Sequence, residues 1–475
     1  MEKISYNKTK IVATVGPASN NKDMLRALVK EGVDVFRLNF SHGTHDQHQK
    51  VIDFVREINK EMGTNVALLQ DLQGPKIRVQ DVQDGVELKP GQEFIITTRQ
   101  LMGNNEMAST SYENLPRDVK VGDMILIDDG KIELTVKEVR DIDVVTTVKY
   151  GGPLKPRKGI NLPQTKVTAP SLTDKDHADL LFGLKNRLDW VALSFVRKAK
   201  DIELLREIIQ QHSPNTRIVA KIEKPEAIEN IDSVIAATDA VMVARGDLGV
   251  EIWLEEVPMM QKMIVQKCNK LAKPVIVATQ MMESMIENPR PTRAETNDVA
   301  NAVMDGADAL MLSAETAAGK YPIEVIRSMV RTIGSVEKQG NVFYRFRDVE
   351  AGSTNFHTDN LILTACKLAK EVNAKAIVGM TQLGYSAYKA ASHRPNANIF
   401  AFTSNAEIIN QISLVWATRA YHYDKASSTD ETIADVEAIL KRDGHVQSGD
   451  IFIVLASMPI QARGKTNLIK VNVVK

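Results

Sequence analysis

The sequence has little of what marks several protein classes. Its 475 residues contain only two cysteines, Cys268 and Cys366, and 60 basic residues balance 60 acidic ones. A zero net charge argues against a general nucleic-acid binder, which needs a basic excess. No apolar run approaches the roughly 20 residues that cross a bilayer, and the N-terminus lacks the apolar core of a signal peptide. We therefore expect a cytoplasmic globular protein with reduced thiols that binds neither nucleic acid nor membrane.

The residues that are present indicate an α/β protein with about three domains, at roughly 150 residues per domain. Short β-branched runs alternate with helical patterns, which predicts parallel strands joined by right-handed crossovers. Eight such runs within about 250 residues predict a closed (β/α)8 TIM barrel. An open, doubly wound sheet is the alternative. The runs are Thr9–Val15, Asp34–Phe40, Val66–Asp71, Trp190–Phe195, Arg217–Glu223, Ala240–Arg245, Pro274–Thr279 and Ala309–Ser313.

Two regions interrupt or follow this pattern. Between Gly74-Pro75 and about Lys166, short strands and turn signals predict a small all-β domain inserted after the third strand, placed to act as a lid. After residue 345 the alternation resumes and predicts a separate C-terminal α/β domain. The predicted boundaries are 1–74 and 167–345 for a catalytic barrel, 75–166 for the insert and 346–475 for the C-terminal domain. No internal repeat beyond the strand–helix unit is evident.

Polar residues gather at the ends of the predicted barrel strands, where barrel enzymes build their active sites. At the second strand, Arg37, Asn39 and Ser41 alternate with apolar residues, so the three side chains share one face. An inward arginine indicates an anionic ligand, because a buried cation without a partner is costly. A simple salt bridge is the alternative interpretation.

Carboxylates follow two adjacent predicted strands. Lys221 and Glu223 share one face at the end of the fifth strand, and Asp247 follows the sixth. Neighbouring carboxylates repel each other, and Mg²⁺ typically takes one or two protein carboxylates and completes its shell with substrate and water. The pattern predicts a magnesium site, with an ion-pair cluster as the alternative. Thr279 and Glu315 add a hydroxyl and a third carboxylate at the seventh and eighth strand ends.

The predicted site has no nucleophilic cysteine, no Ser–His–Asp arrangement and no P-loop signature. Charge neutralisation without a nucleophile fits phosphoryl transfer or enolate chemistry on a small anion. Thr292 and Glu295 have the spacing of a capping box, and we assign them that structural role.

The chain resembles the pyruvate kinases over essentially its whole length. This resemblance implies Mg²⁺-dependent transfer of a phosphoryl group from phosphoenolpyruvate to ADP, giving pyruvate and ATP as the final step of glycolysis. It further implies a cytoplasmic homotetramer, with Mn²⁺ as a possible substitute metal. The segments that carry the resemblance are Thr9–Pro17, Arg37–Gly43, Gly74–Arg78, Lys221–Glu223, Met242–Gly249, Ala278–Ile286, Pro289–Glu295 and Leu312–Ala317.

The resemblance also implies roles for individual positions. Glu223 and Asp247 match the Mg²⁺ ligands. The implied catalytic residues are Lys221, Arg37, Thr279 and Glu315; the substrate contacts are Arg37, Lys221, Gly246, Asp247, Thr279 and Ser313; and the nucleotide contacts are Asn39, His42, Arg78 and Lys158.

One position departs from most of the family. Where this chain has Lys76, most members have an acidic residue that accompanies a required K⁺, and positions matching Asn39, Ser41, Asp71 and the carbonyl of Leu72 hold that ion. A fixed ammonium supplies positive charge and opposes cation binding nearby. We therefore predict that activity does not require K⁺. The alternative is that Lys76 is a solvated hinge residue.

The C-terminal domain resembles the family's regulatory domain, in which a loop at a helix N-terminus binds an effector phosphate. Thr381, Gly384 and Ser386 match that loop, whereas Leu383 and Tyr385 stand where regulated members often have polar or basic residues. Two other functions stay open. One is a Mg²⁺-dependent lyase that forms the same enolate without ADP, and the other is a non-catalytic effector-binding protein.

Overall fold

The computed structural model describes residues 7–163, 165–425, 428–458 and 465–475. Its centre is a closed barrel of eight parallel strands, in which the first pairs with both the second and the last. With strands numbered in chain order, the barrel consists of β1 (Lys10–Val15), β2 (Val35–Asn39), β3 (Ala67–Asp71), β12 (Trp190–Leu193), β13 (Arg217–Ile222), β14 (Ala240–Ala244), β15 (Val275–Ala278) and β16 (Ala309–Leu312).

Helices surround the barrel, and several begin at side-chain caps. Thr44, Thr173 and Thr292 each form a capping box with the residue three positions later, which satisfies N–H groups that a helix end leaves unpaired. The helices are α1 (Lys22–Glu31), α2 (His45–Met62), α4 (Asp174–Lys185), α5 (Ala199–His212), α6 (Pro225–Glu229), α7 (Ile231–Ala237), α8 (Arg245–Glu251), α9 (Val257–Lys270), α10 (Arg293–Asp305), α11 (Ala314–Ala317) and α12 (Pro322–Lys338), with 3-10 turns at Leu254–Glu256 and Glu283–Ile286.

The segment between β3 and α4 forms two small sheets around a core of its own. Its elements are β4 (Glu87–Leu88), β5 (Glu93–Thr97), β6 (Met107–Ser109), α3 (Leu115–Asp118), β7 (Met124–Ile127), β8 (Ile132–Val139), β9 (Asp143–Tyr150), β10 (Gly152–Pro153) and β11 (Ile160–Asn161). Ala169 still packs in this core, three residues beyond the predicted boundary at 166.

The C-terminal segment forms a five-stranded sheet with helices. Four of its strands are parallel, and the last pairs antiparallel at the edge. Its elements are α13 (Phe356–Glu371), β17 (Ala376–Met380), α14 (Tyr385–Ser392), β18 (Asn398–Thr403), α15 (Glu407–Gln411), a 3-10 turn at Ile412–Leu414, β19 (Thr418–His422), α16 (Thr429–Arg442), β20 (Ile451–Ala456) and β21 (Leu468–Val473).

The C-terminal domain completes the barrel interior. We call the barrel end where the strands begin the floor, and the end where they finish the mouth. Leu414 belongs to the C-terminal domain, yet its buried side chain packs in one cluster with inward residues of the barrel such as Trp190 and Met242. Trp190 also donates its indole N–H to the carbonyl of Gln411 at 3.3 Å. The third domain therefore closes the floor of the first.

The floor carries a fourfold pattern of aspartates. An aspartate stands immediately before every second barrel strand, and its carboxylate accepts a backbone N–H from the preceding strand. These bonds join Ile11 to Asp34 at 2.9 Å, Leu68 to Asp189 at 2.8 Å, Ile218 to Asp239 at 2.9 Å and Val275 to Asp308 at 3.1 Å. Each one satisfies a donor that would otherwise be buried without a partner.

The predicted barrel and C-terminal α/β domain are confirmed, and each predicted barrel strand forms within two residues of its expected bounds. A 3-10 turn occupies Leu254–Glu256, and the α-helix begins at Val257, where Pro258 favours a first turn. Both cysteines are free and buried. None of the described helices is long and apolar enough to span a membrane.

Candidate active site

Arg37 and Asp71 form an ion pair in the barrel mouth. Arg37 points inward from β2, and its Nε lies 2.6 Å from Oδ2 of Asp71, the last residue of β3. Its Nη1 also donates to the Thr14 hydroxyl at 3.0 Å. Arg37 is therefore salt-bridged, as the alternative interpretation of the sequence expects. Its side chain is nevertheless 12% exposed at the mouth, whereas that of Asp71 is only 1% exposed.

Lys221 connects three strand ends. Its ammonium lies 3.2 Å from Asp71 Oδ1 and 2.9 Å from Glu223 Oε1, and it donates to the Ser194 hydroxyl at 2.7 Å. Burial opposes this charge, yet the carboxylates of Asp71, Glu223 and Asp247 raise the pKa of Lys221. Burial alone would raise the pKa of Asp71, but the charges of Lys221 and Arg37 bring it below its ordinary value. The mouth therefore contains a lysine that is charged at every physiological pH.

Glu223 and Asp247 are close enough to interact. Burial, opposed by Lys221 and reinforced by the charge of Asp247, raises the pKa of Glu223. Its Oε2 is fixed by the backbone N–H of Phe195 at 2.8 Å. The described residues contain no cluster of three or more His, Cys, Asp or Glu side chains arranged for a metal. Two carboxylates with excess negative charge fit a divalent ion that completes its shell with substrate and water.

Thr279 and Gly246 come together beside these carboxylates. The Thr279 hydroxyl accepts the N–H of Gly246 at 2.7 Å and donates to the Ala278 carbonyl at 2.6 Å. Thr279 has φ = +67° and Phe195 has φ = +54°, so strained residues follow both β15 and β12. Such strain persists only where the surroundings hold it. Here Arg245 helps, because its Nη2 donates to the Thr279 carbonyl at 2.7 Å.

Glu315 has a different environment from the one its sequence position predicts. It is buried, and its two oxygens accept backbone N–H groups from Met282 at 3.2 Å and Ser313 at 2.7 Å. Burial, partly opposed by these hydrogen bonds, raises its pKa. The carboxylate therefore braces the ends of β15 and β16 against each other, whereas Ser313 stays partly exposed at the mouth.

The residues predicted to bind a monovalent cation do not all face one point, and several of them are engaged in other contacts. Asn39 Oδ1 accepts the N–H of Ser41 at 3.1 Å, and the Leu72 carbonyl accepts the Ser194 hydroxyl at 2.7 Å. Asp71 is occupied by Arg37 and Lys221, as described above. Lys76 lines a different cavity, one that borders Asp247.

The predicted nucleotide contacts fall into two groups. Arg78 and Lys158 lie on neighbouring segments of the insert, where the backbone N–H of Val79 bonds to the carbonyl of Lys158 at 2.8 Å. Lys158 pairs with Asp128 at 2.8 Å. His42 is exposed on the barrel loop after β2, close to Asn39. Within the described residues, no hydrogen bond or ion pair links the two groups.

Sequence reasoning missed three residues that organise this site: Thr14, Ser194 and Arg245. Ser194 is the most informative, because its hydroxyl accepts from Lys221 and donates to the Leu72 carbonyl. Its place directly after β12 matches the strand-end position of the predicted residues and could have identified it. Arg245 likewise follows β14 directly.

The predicted effector loop is ordered by its own contacts. The Thr381 hydroxyl accepts the N–H of Gly384, which has φ = +83° and precedes α14. Ser386 is buried, and its hydroxyl has no partner among the described residues. Arg217, at the start of β13, donates to the Leu383 carbonyl at 2.9 Å. The loop thus touches the strand whose other end carries Lys221.

Comparison with known proteins agrees with this architecture. Residues 6–326 match the family model "Pyruvate kinase, barrel domain", and residues 359–472 match "Pyruvate kinase, alpha/beta domain". The chain is 44% identical to a pyruvate kinase of Geobacillus stearothermophilus and 42% identical to one of Staphylococcus aureus. In both cases 98% of this chain and 80% of the relative are covered.

A solved structure is similar over nearly the whole fold. The crystal structure of a pyruvate kinase from Cryptosporidium parvum superposes with a TM-score of 0.91 at 36% identity, covering 99% of this chain and 96% of that one. The similarity includes both the barrel, whose mouth contains the ion-pair network, and the C-terminal sheet that closes its floor. The chain therefore belongs to the pyruvate kinase family of phosphotransferases.

Proposed function

We propose that this enzyme transfers the phosphoryl group of phosphoenolpyruvate to ADP with the help of Mg²⁺, giving pyruvate and ATP. In this reaction the bond from phosphorus to the enol oxygen breaks, and a bond to a terminal phosphate oxygen of ADP forms. The enolate that leaves takes a proton on carbon. The observation that carries the proposal is the Lys221 ammonium, held by Asp71, Glu223 and Ser194 at the mouth.

Lys221 and Arg37 suit a reaction in which negative charge moves from one oxygen to another and no new charge is created. The transferring phosphoryl group is loosely bonded, so catalysis depends on positioning and charge compensation. Arg37 keeps part of its guanidinium at the mouth, where it can bind the phosphoryl group. Lys221 is fixed by three partners and therefore loses little freedom when it contacts the developing enolate oxygen.

Glu223 and Asp247 are the residues that we expect to hold Mg²⁺. Burial raises the pKa of Glu223 and the nearby charge of Asp247 reinforces that rise, so a divalent cation between the two carboxylates would relieve their repulsion. When bound, the ion supplies electrostatic stabilisation of phosphoryl and carboxylate oxygens. Gly246 and Ser313 would contact the substrate beside it, Glu315 would act as a positioning residue, and Mn²⁺ is an alternative metal.

Thr279 is the proposed residue for placing the enolate proton. Its hydroxyl proton points to the Ala278 carbonyl, and its oxygen accepts from Gly246. It therefore fixes the Gly246 backbone that would meet the substrate carboxylate. Asn39, His42, Arg78 and Lys158 remain proposed nucleotide contacts, and the last two would reach ADP by movement of the insert.

We further propose that Lys76 replaces the activating K⁺. Lys76 is partly buried, and its ammonium has no ion pair within the described part of the chain. Its free positive charge lies on a cavity that borders Asp247. The predicted K⁺ ligand Asp71 already has two cationic partners, Arg37 and Lys221.

The decisive assay measures pyruvate formation from phosphoenolpyruvate, ADP and Mg²⁺ in tetramethylammonium buffer, first without K⁺ and then with KCl. We expect the wild type to be fully active without K⁺. We expect the Lys76→Glu variant to be inactive without K⁺ and to become active when KCl is added. Lys89→Glu, an equal charge change at an exposed insert position, is the matched control. Wild-type dependence on KCl would refute the role of Lys76 but keep the kinase. Pyruvate formation without ADP would favour a lyase.

Homotetramer formation is proposed from the family resemblance and is tested by light scattering of the purified protein. The effector loop at Thr381, Gly384 and Ser386 also stays a prediction. It is tested by titrating phosphorylated sugars into the kinase assay, where an unchanged affinity for phosphoenolpyruvate would count against it.

A further inference from the structure

A cavity that is open to solvent lies between the insert and the barrel. One wall comes from the hinge and β11 of the insert, and the other comes from the loops after β12, β13 and β14. The charged lining residues are Lys76, Arg197, Lys224, Asp247 and Glu251. Among the predicted Mg²⁺ and substrate residues, only Asp247 borders this cavity.

Glu251 joins three separate segments at the cavity wall. It is the last residue of α8, one helical turn after Asp247, and it is 4% exposed. Its Oε1 accepts from Lys224 Nζ at 2.7 Å and from Asn161 Nδ2 at 2.9 Å. Asn161 belongs to the insert, whereas Lys224 and Glu251 belong to the barrel. A single carboxylate oxygen therefore ties the insert to the mouth.

The second oxygen of Glu251 is unused. Glu251 Oε2 is buried, and it has no hydrogen-bond partner in the part of the chain that the structure describes. A buried acceptor without a donor destabilises the folded protein, and more so when the acceptor is charged. This oxygen should therefore take a donor whenever one comes within reach.

Lys76 is the available donor. Its side chain lines the same cavity, and its ammonium has no ion pair in the described residues. Lys76 lies two residues after Gly74, where φ is +70° and an added Cβ would lie 2.8 Å from the Phe195 ring. The chain leaves the barrel at this fixed point, so a small rotation of the insert moves Lys76 relative to Glu251.

We propose that Glu251 is a positioning residue that anchors the insert through Asn161 and receives the Lys76 ammonium on its free oxygen as the insert closes. The lysine side chain can move toward the carboxylate by rotation about its own torsions, aided by rotation of the insert. The same carboxylate would then set both the orientation of the insert and the location of the Lys76 charge. This inference rests on the proposed kinase function but not on K⁺ independence.

A double-mutant cycle tests the coupling. Glu251→Gln keeps an oxygen for Asn161 and Lys224 but replaces the free oxygen with an amide that cannot accept from Lys76. We expect Glu251→Gln and Lys76→Met each to lower kcat/KM for ADP by roughly tenfold, and the double variant to lose no more than the worse single variant. Losses that multiply would overturn the pairing. Glu255→Gln, at an exposed glutamate in the next turn, is the matched control.

A distance measurement separates anchoring from chemistry. Because both native cysteines are buried, spin labels can be attached through Asp84→Cys on the insert and Lys60→Cys on the barrel. We expect Asn161→Ala to broaden the distance distribution, and Glu251→Gln, which keeps the oxygen that Asn161 uses, to leave it unchanged, as Glu255→Gln should. Unchanged distances in Asn161→Ala, whose Glu251–Lys224 pair remains, would refute the anchor. If wild-type protein makes no ATP, the kinase proposal fails and this measurement alone decides the anchor.

Discussion

The two ends of the barrel use similar ion pairs for different purposes. At the floor, Lys10 lies 3.3 Å from Asp34, and at the mouth Lys221 lies 3.2 Å from Asp71. The floor aspartate belongs to a fourfold pattern in which each carboxylate accepts one backbone N–H. The mouth shows no such repetition, and its groups converge on one point. Regular pairing thus stabilises the barrel, and the departure from it creates a site.

The sharpest test of this comparison exchanges each lysine for methionine. Lys221→Met should lower kcat by about 10³-fold, because a fixed charge that stabilises the transition state is lost. Lys10→Met should lower the free energy of unfolding by about 3–5 kcal/mol, since it leaves the mostly buried Asp34 without its nearest cation. Steady-state kinetics and urea unfolding measure the two effects. The comparison breaks if Lys10→Met loses kcat per folded molecule as severely as Lys221→Met.

A smaller effect is expected from opening the floor. Leu414→Ala removes a buried side chain that fills the barrel interior from the C-terminal domain. We expect the free energy of unfolding to fall by about 3 kcal/mol, with kcat retained in the folded fraction. Leu204→Ala, at a leucine that is 42% exposed on α5, is the control and should change stability little. Equal losses for both variants would contradict the closing role of Leu414.

The four floor aspartates are not equivalent, and pH distinguishes them. Burial raises the pKa of Asp189 to about 7, with only partial compensation from the Leu68 N–H and the charge of Arg56. Between about pH 4 and 7 the unfolded chain therefore releases this proton before the folded protein does, and stability declines as pH rises. Asp189→Asn cannot ionise and can still accept from Leu68.

We therefore expect Asp189→Asn to gain stability relative to the wild type as pH rises from 4 to 7, on the order of 3 kcal/mol, and the gain to level off as pH passes the pKa of the folded protein. Unfolding curves across this range measure the effect. Asp239→Asn is the control, because it removes a carboxylate that pairs with Arg206 at 3.1 Å and should only destabilise. A pH-independent difference for Asp189→Asn would show that its burial matters less than its hydrogen bond.

The smallest effect concerns a residue near the mouth with a structural role. The Thr292 hydroxyl accepts the backbone N–H of Glu295 at 3.2 Å, and the backbone N–H of Thr292 donates to Glu295 Oε2 at 2.7 Å. These two hydrogen bonds confirm the predicted capping box. Thr292→Ala should cost about 1 kcal/mol of stability and leave kcat unchanged, whereas Thr292→Ser should preserve both. A large loss of kcat without a loss of stability would indicate that Thr292 takes part in catalysis.

The sequence predicts the mouth better than it predicts the contacts that build it. Alternation with period two identifies the inward faces of Arg37, Lys221 and Glu223, because every second side chain on a strand points the same way. It cannot identify Ser194 as their common partner, since register between strands more than 100 residues apart is set only in the closed barrel. For the same reason Glu315 is predicted at the mouth but is found bracing two backbone N–H groups.

At the floor, the strands can be predicted from the sequence but the buried ion pair cannot. The strands are evident from the sequence, yet nothing in its local pattern indicates that Arg394 is 1% exposed and pairs with Asp308 at 3.0 Å. Charged residues are rarely buried, and this one becomes acceptable only because its partner is an aspartate from another domain. Asp308 already accepts a backbone N–H within the barrel, but Arg394 gains its ion-pair partner only when the domain interface forms.

Leu414 has a consequence for synthesis on the ribosome. The last barrel strand ends at Leu312, about a hundred residues before the leucine that fills the floor. At ordinary elongation rates, roughly 5–20 s pass between synthesis of Leu312 and synthesis of Leu414. Until then the apolar interior of the barrel stays open at one end. During that interval the nascent chain exposes apolar surface, and the barrel floor can close only after translation has passed Leu414.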